Sequence, residues 1–185
     1  MKKMLIVLLG LLLAGNALAI EVAGVKVPAE VAVAGETLQL NGAGVRKKFV
    51  FVKVYVGSLY TAGKAASTAE VLALPGNKLI RMDFLYKQVE KSKIIDAFAE
   101  GFQNNSPQLV ATPMTREFFS WFKNDFVAGD QVDLILNADG KVSATHNGKE
   151  LGSIDSKELA DGILLIYLGE KPADEDMKAG MLGKG

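Results

Sequence analysis

Phe49 to Tyr60 reads FVFVKVYVGSLY, and this run leaves the rest of the chain little choice of architecture. It is long for a strand, contains no proline and is apolar at both parities, with Phe49, Phe51, Tyr55 and Leu59 at one and Val50, Val52, Val54, Val56 and Tyr60 at the other. A strand that is apolar at both parities has to be covered on both faces, so it belongs inside a sheet rather than at its edge. Its one lysine, Lys53, stands between Val52 and Val54 and is expected to face solvent.

The neighbouring segments supply the partners. Lys78 to Tyr86 alternates, with Leu79, Arg81, Asp83 and Leu85 at one parity and Ile80, Met82, Phe84 and Tyr86 at the other. The second set is the inward one. Glu21 to Val27, closed by Pro28, reads as a short strand, and Glu30 to Val33 and Thr37 to Leu40 as two more. Asn41-Gly42-Ala43-Gly44 reads as a turn, because these residues tolerate positive φ. The period then changes. Ile94, Ile95, Phe98 and Phe102 form one stripe of a helix that begins at Lys91. Thr112-Pro113 offers an N-cap and a first-turn proline for a second helix, whose Met114, Phe118, Trp121 and Phe122 face inward. Gln131 to Leu136, Lys141 to Thr145 and Lys149 to Ile154 read as strands, the last two joined by the hairpin signal Asn147-Gly148. Asp155 with Glu158 resembles a capping box for a helix through Leu168, with Gly169 as its C′ residue. Pro172 opens a short terminal helix. Strands, helices, strands, helix is the order of an α+β fold, with a large antiparallel sheet covered by a layer of helices on one face.

Composition removes several function classes. Met1-Lys2-Lys3, the apolar run Leu5 to Leu13 and Ala17-Leu18-Ala19 match an export signal, which is too short to span a bilayer. Residues 1–19 are therefore expected to be a signal peptide, and residues 20–185 one domain delivered to the periplasm without a stable membrane anchor. Basic and acidic residues balance at 21 each; losing Lys2 and Lys3 leaves 19 against 21, a net charge of −2. Such a balance gives no footprint for nucleic acid. With no cysteine and one histidine, His146, neither thiolate chemistry nor an ordinary metal cluster is expected, and no cofactor is implied. Gly42-Ala43-Gly44 leads into a strand rather than a helix, which argues against dinucleotide binding.

Three stretches carry a resemblance: LNGAGVRKKF followed by KVYVGSLY, FLYKQVEKSKIIDAFAEGF, and NGKELGSIDSKELADGILLIYLGEKPADEDMKAGMLG. In one collinear order they resemble the secreted chalcone isomerase-like proteins of bacteria. The resemblance implies an open-faced β-sandwich of the chalcone isomerase type, with a ligand cleft between the sheet and the helical layer. Plant members of that fold close a chalcone to a flavanone by attack of a phenolate on an enone, and other members bind fatty acids without catalysis. In both, an arginine after a Gly-x-Gly segment meets the negative charge of the ligand. Gly42-Ala43-Gly44-Val45-Arg46 matches that segment, which assigns the role to Arg46. A strand threonine of the plant enzymes aligns at or near Tyr55, and their late threonine near Ile166. The tyrosine and asparagine of their first cleft helix have no counterpart in Lys91 to Phe98.

The resemblance therefore implies a monomer that binds a small amphipathic or aromatic anion, with its charge on Arg46 beside the Tyr55 hydroxyl. The rest of the ligand would lie against Ile95, Phe98 and Ile166. Two other readings stay open: an intramolecular lyase acting on an enone-like substrate, and a protein-interaction component of the envelope. Ile95 and Phe98 fit plain core packing as well as a cleft wall. Arg46, in the basic trio Arg46-Lys47-Lys48, also fits an ordinary solvated charge.

Overall fold

The computed structural model describes residues 19–49 and 51–184. The export leader expected over residues 1–19 lies outside them, Ala19 apart. The chain begins with β1 (Ile20–Val22), β2 (Val25–Val27), β3 (Glu30–Val33), β4 (Glu36–Lys48) and β5 (Val52–Thr61). After α1 (Thr68–Ala73) come β6 (Lys78–Phe84), β7 (Gln88–Val89), α2 (Lys91–Asn105) and α3 (Pro113–Ser120). The remainder is β8 (Phe126–Val127), β9 (Gln131–Leu136), β10 (Lys141–His146), β11 (Lys149–Asp155), α4 (Lys157–Leu168) and α5 (Glu175–Met181).

A seven-stranded sheet in the order β11-β10-β9-β6-β5-β4-β3 is antiparallel throughout. The apolar run forms the interior strand β5, between β4 and β6, while β6 takes the middle place. Its two parities do face two apolar layers. Tyr55 and Leu59 join the large core under the helices, as do Ile80, Met82 and Phe84 of β6. Val56 and Tyr60 join a smaller cluster with Val27, Leu38 and Leu40, roofed by the separate β1–β2 hairpin. Lys53 is exposed, as its position between two valines suggested.

Four features differ from the sequence reading. Glu21 to Val27 is a hairpin, turned at Ala23-Gly24, rather than one strand. Ser156, not Asp155, caps α4, accepting from the Leu159 N–H, and Gly169 leaves the helix with an ordinary negative φ of −67°. Pro172 lies before the terminal helix, which Asp174 caps by accepting from Met177 N–H. The largest difference concerns the glycines. Asn41 to Gly44 is not a turn: it is the middle of β4, and neither Gly42 nor Gly44 has positive φ. The chain turns instead at Phe49, whose φ is +47°, and the Val52 N–H closes that turn on the Phe49 carbonyl.

Two bulges decide what the β4–β5 pair presents to each layer. Leu40 pairs with Tyr60 but Gly42 with Leu59, so Asn41 is an extra residue. An extra residue reverses the side on which every following side chain emerges. Leu38 and Leu40 point to the small cluster, and beyond Asn41 the row Gly42, Gly44, Arg46 points to the helical side. Asn41 itself is buried and tied: its Nδ2 donates to the carbonyls of Ala65 and Met181 at 2.9 and 2.8 Å, and its Oδ1 accepts from Ala65 N–H at 2.8 Å. The glycines then answer a need for clearance. A Cβ on Gly42 would overlap the Gly180 carbonyl, and one on Gly44 would lie 2.6 Å from the Cα of Met177. Gly180 has the reciprocal constraint against Ala43. β4 and α5 thus meet backbone to backbone, and Arg46 is the first residue of the row past the start of α5.

Candidate functional site

Arg46 and Tyr55 are cross-strand partners on β4 and β5, and the second bulge follows at once. Lys47 pairs with Lys53, which makes Val54 the extra residue. The Val54 carbonyl accepts from the N–H groups of Leu85 and Tyr86, drawing the end of β6 across the pair. Arg46 Nη1 donates to the Tyr55 hydroxyl at 3.3 Å, and the guanidinium carbon stands 5.6 Å from the Tyr55 ring centroid. Because that hydroxyl accepts from Arg46, its own proton is left for donation. Tyr55 is held by the tilted Phe84 ring at 5.5 Å, which stacks on Phe126 at 4.7 Å.

Behind Tyr55 lies a second phenol. Tyr167 of α4 is fully buried, and its hydroxyl donates to Met82 Sδ at 3.2 Å. Burial raises its pKa well above the usual tyrosine value, Tyr55 adds to the rise, and Arg46 opposes it. Tyr167 is therefore a neutral donor and no general base. Arg46 is held in its charged form more firmly than usual, first by Tyr55, against the opposing effect of burial. Among the described residues no carboxylate forms an ion pair with its guanidinium. Asp174 lies close enough to favour the charge weakly, but it is committed to the N–H groups of Lys47 and Met177.

Two cavities share Arg46 in their walls. One, of about 300 Å³, is mainly apolar, lined by Phe49, Val52, Val54, Tyr86, Val89 and Ile94 together with Arg46, Lys48, Lys93, Gln88 and one acid, Glu90. The other, of about 380 Å³, is more polar, with Asp96, Ala97, Glu100 and Ala173 beside Arg46, Lys47, Lys48, Phe49 and Lys93. A volume near 300 Å³ is at the small end of ligand pockets. A cation at the wall of an apolar space, with a phenol as second donor, can hold an oxyanion bidentately and bury an attached apolar group.

The residues expected at the site are thus divided. Arg46 and Tyr55 are together. Ile95, Phe98 and Ile166 do not line either cavity at Arg46. Phe98 is packed between Phe118 and Phe122 at 5.3 and 5.4 Å, Ile166 lies against Gly101 of α2, and Ile95 is half-buried against the main core. Phe98 and Phe102 of the α2 stripe face the core, Ile94 touches both the core and the first cavity, and the edge turned to Arg46 carries Lys93, Asp96, Ala97 and Glu100. Tyr167 escaped notice because, within Leu164 to Leu168, it counts as one more apolar residue. Phe49, Val54 and Tyr86 escaped because the bulge and the turn that aim them leave no pattern in the sequence.

The comparisons with known proteins agree with this architecture. Fatty-acid-binding protein 1 of Arabidopsis thaliana is 23% identical over 178 aligned residues, covering 80% of this chain and 64% of its own length. The chain thus spans less than two thirds of that relative. The crystal structure of a fatty-acid binding protein of Arabidopsis thaliana superposes with a TM-score of 0.67 at 21% identity, covering 86% of this chain and 92% of the other. That likeness shows a common fold. The family model described as chalcone isomerase-like matches residues 19–183, from the hairpin that roofs the sheet to the helix that packs on the glycines. This chain belongs to the chalcone isomerase-like family.

Proposed function

We propose that the protein binds a fatty acid or a similar amphipathic carboxylate, without chemistry, after export to the periplasm. The observation that carries the reading is Arg46: a charged guanidinium, with no acid paired to it among the described residues, in the wall of an apolar cavity beside the Tyr55 hydroxyl. The fatty-acid binding named for two similar proteins supports the same ligand class. Lys91 to Phe98 carries neither the tyrosine nor the asparagine that the plant enzymes keep in their first cleft helix, which supports binding over enone chemistry. The carboxylate would take two donors from Arg46 and one from Tyr55, and the alkyl chain would enter between Val54, Val89 and Ile94.

Titration of delipidated protein with fatty acids and the matched alcohols tests this. Hydrogen bonds to a charged group contribute about 1.5–3 kcal/mol each, so Arg46→Ala should weaken the acid by about 10–100-fold and the alcohol much less. Arg46→Lys should recover part of the loss, since it restores charge without the fork. Affinity for the acid should rise with each methylene, by up to about 0.8 kcal/mol, until the cavity is full. Equal weakening of acid and alcohol by Arg46→Ala would make Arg46 structural and overturn the reading.

A further inference from the structure

The β4–β5 hairpin ends in a tip that is unusual for a soluble surface. Phe49 is 80% exposed and Phe51 89%, the two most exposed large apolar side chains among the described residues. Phe49 also sits at a φ of +47°, where a bulky residue is uncommon and Gly or Asn is the ordinary choice. The turn thus holds a phenylalanine outward against its conformational preference. Tyr86, 47% exposed, stands with Phe49 in the wall of the apolar cavity.

Charge surrounds these rings in a pattern that is unfavourable for the isolated protein. Lys47 and Lys53 are exposed and directly opposed across the strands, a like-charge pair that weakens a sheet. Lys48 lies beside them, its Nζ 5.7 Å from the Phe49 ring centroid. Of the acids nearby, Asp176 pairs with Lys47 at 3.1 Å, Glu90 lines the first cavity, and Asp96 and Glu100 line the second; among the described residues none of them forms an ion pair with Lys48, Lys53 or Lys93. Aromatic rings at a tip with lysines behind them match the layers of an anionic bilayer. The rings fit the boundary between headgroups and acyl chains, and the ammonium groups fit the plane of the lipid phosphates.

We propose that the tip formed by Phe49 and Phe51, with Lys47, Lys48 and Lys53, is a docking element for an anionic membrane surface. The anionic lipid supplies counter-charge to Lys48 and Lys53, which have no ion-pair partner among the described residues, and the bilayer interface takes up both rings. Because Phe49 and Tyr86 also border the cavity, docking brings the cavity mouth against the lipid. A carboxylate ligand could then pass between bilayer and protein without crossing open water. The docking itself does not depend on the ligand reading, since it needs neither Arg46 nor a bound acid.

Vesicles free of fatty acid provide the test: phosphatidylcholine alone, and phosphatidylcholine with phosphatidylglycerol in equal parts. In a Phe51→Trp variant the new indole reads the tip itself, whatever else of the chain touches the bilayer. Trp121, 6% exposed, gives a background that the wild-type protein measures. The new indole should shift to the blue on the anionic vesicles and be quenched by lipid brominated high on the acyl chain. Phe49→Ser with Phe51→Ser should lower partition onto those vesicles at least tenfold. Lys48→Gln with Lys53→Gln should lower it roughly fivefold per lysine, and added salt should do the same to the wild type. The proposal is overturned if the indole neither shifts nor is quenched, if the double serine variant partitions like the wild type, or if phosphatidylcholine alone binds as well as the anionic mixture. The first two outcomes would leave the phenylalanines to a protein partner or to none, and the third would leave them to a bilayer surface irrespective of its charge.

Discussion

Replacing Gly44 with alanine would put a methyl group 2.6 Å from the Met177 Cα and 2.8 Å from its carbonyl oxygen. Both are backbone atoms of α5, so no rotamer change can make room. Either β4 bends or α5 lifts. Full release of α5 would expose Met177, Met181 and Leu182, now 0%, 0% and 6% exposed, at about 1.5–3 kcal/mol each. A partial shift is the cheaper response, and inserting a methyl into a packed contact costs about 1–3 kcal/mol. Gly57 is the control. Its added Cβ would meet Met177 Sδ at 2.6 Å and Met181 Cε at 2.7 Å, the mobile ends of side chains that can swing aside. Gly57→Ala should therefore cost less than about 1 kcal/mol. Urea unfolding, followed in parallel by far-ultraviolet circular dichroism and Trp121 fluorescence, gives both values if the m-value is unchanged. A Gly44→Ala loss within about 0.5 kcal/mol of zero, or one no larger than that of Gly57→Ala, would refute the clearance argument.

Phe98→Ala should cost about 3–5 kcal/mol, because Phe98 is 3% exposed and wedged between aromatic rings; a loss below about 1 kcal/mol would place it in an open cleft instead. Asp130 is half-buried, and the desolvation by itself would raise its pKa, but Val127 N–H, Asn147 and His146 outweigh this and hold it below the ordinary 3.8. A depressed carboxylate stabilises above the unfolded value and loses that contribution as pH falls through the folded one. Asp130→Asn should therefore cost about 1–3 kcal/mol at neutral pH, and the gap from wild type should close below about pH 4; a gap independent of pH would contradict this. Export with cleavage before Ile20 predicts an intact mass beginning at that residue, and retained Met1 would rule it out.

Periodicity made the sheet and helices legible, because each depends on which face of a local segment is apolar. Ile80, Met82 and Phe84 face the core, and Thr112-Pro113 opens a helix, as the sequence alone indicates. α1 was not legible: it is a single short element with one buried residue, Val71, marked only by the Ser67 cap. The glycines were misread for a different reason. Gly42 and Gly44 look the same whether they bend the chain or clear a path for a helix, and the helix in question lies far along the sequence. Phe49 reads as the start of a core strand because nothing local distinguishes an apolar turn residue from an apolar strand residue. At the site, Arg46 and Tyr55 were legible through the family segment, whereas the cavity around them was not. Its shape follows from two bulges, each set by tertiary pairing.

The Asn41 latch also bears on when the protein can fold. Its bond to the Met181 carbonyl joins residues 140 apart in sequence, and Ala65 is held by the same side chain. Closing so long a loop is entropically slow, and contacts of this separation form late. The glycine row of β4 stays uncovered until the last helix has been synthesised, so a nascent chain lacks this lock until α5 is available. Under the export proposed above, that delay would keep the chain threadable, able to pass a translocation channel before the Asn41 lock forms.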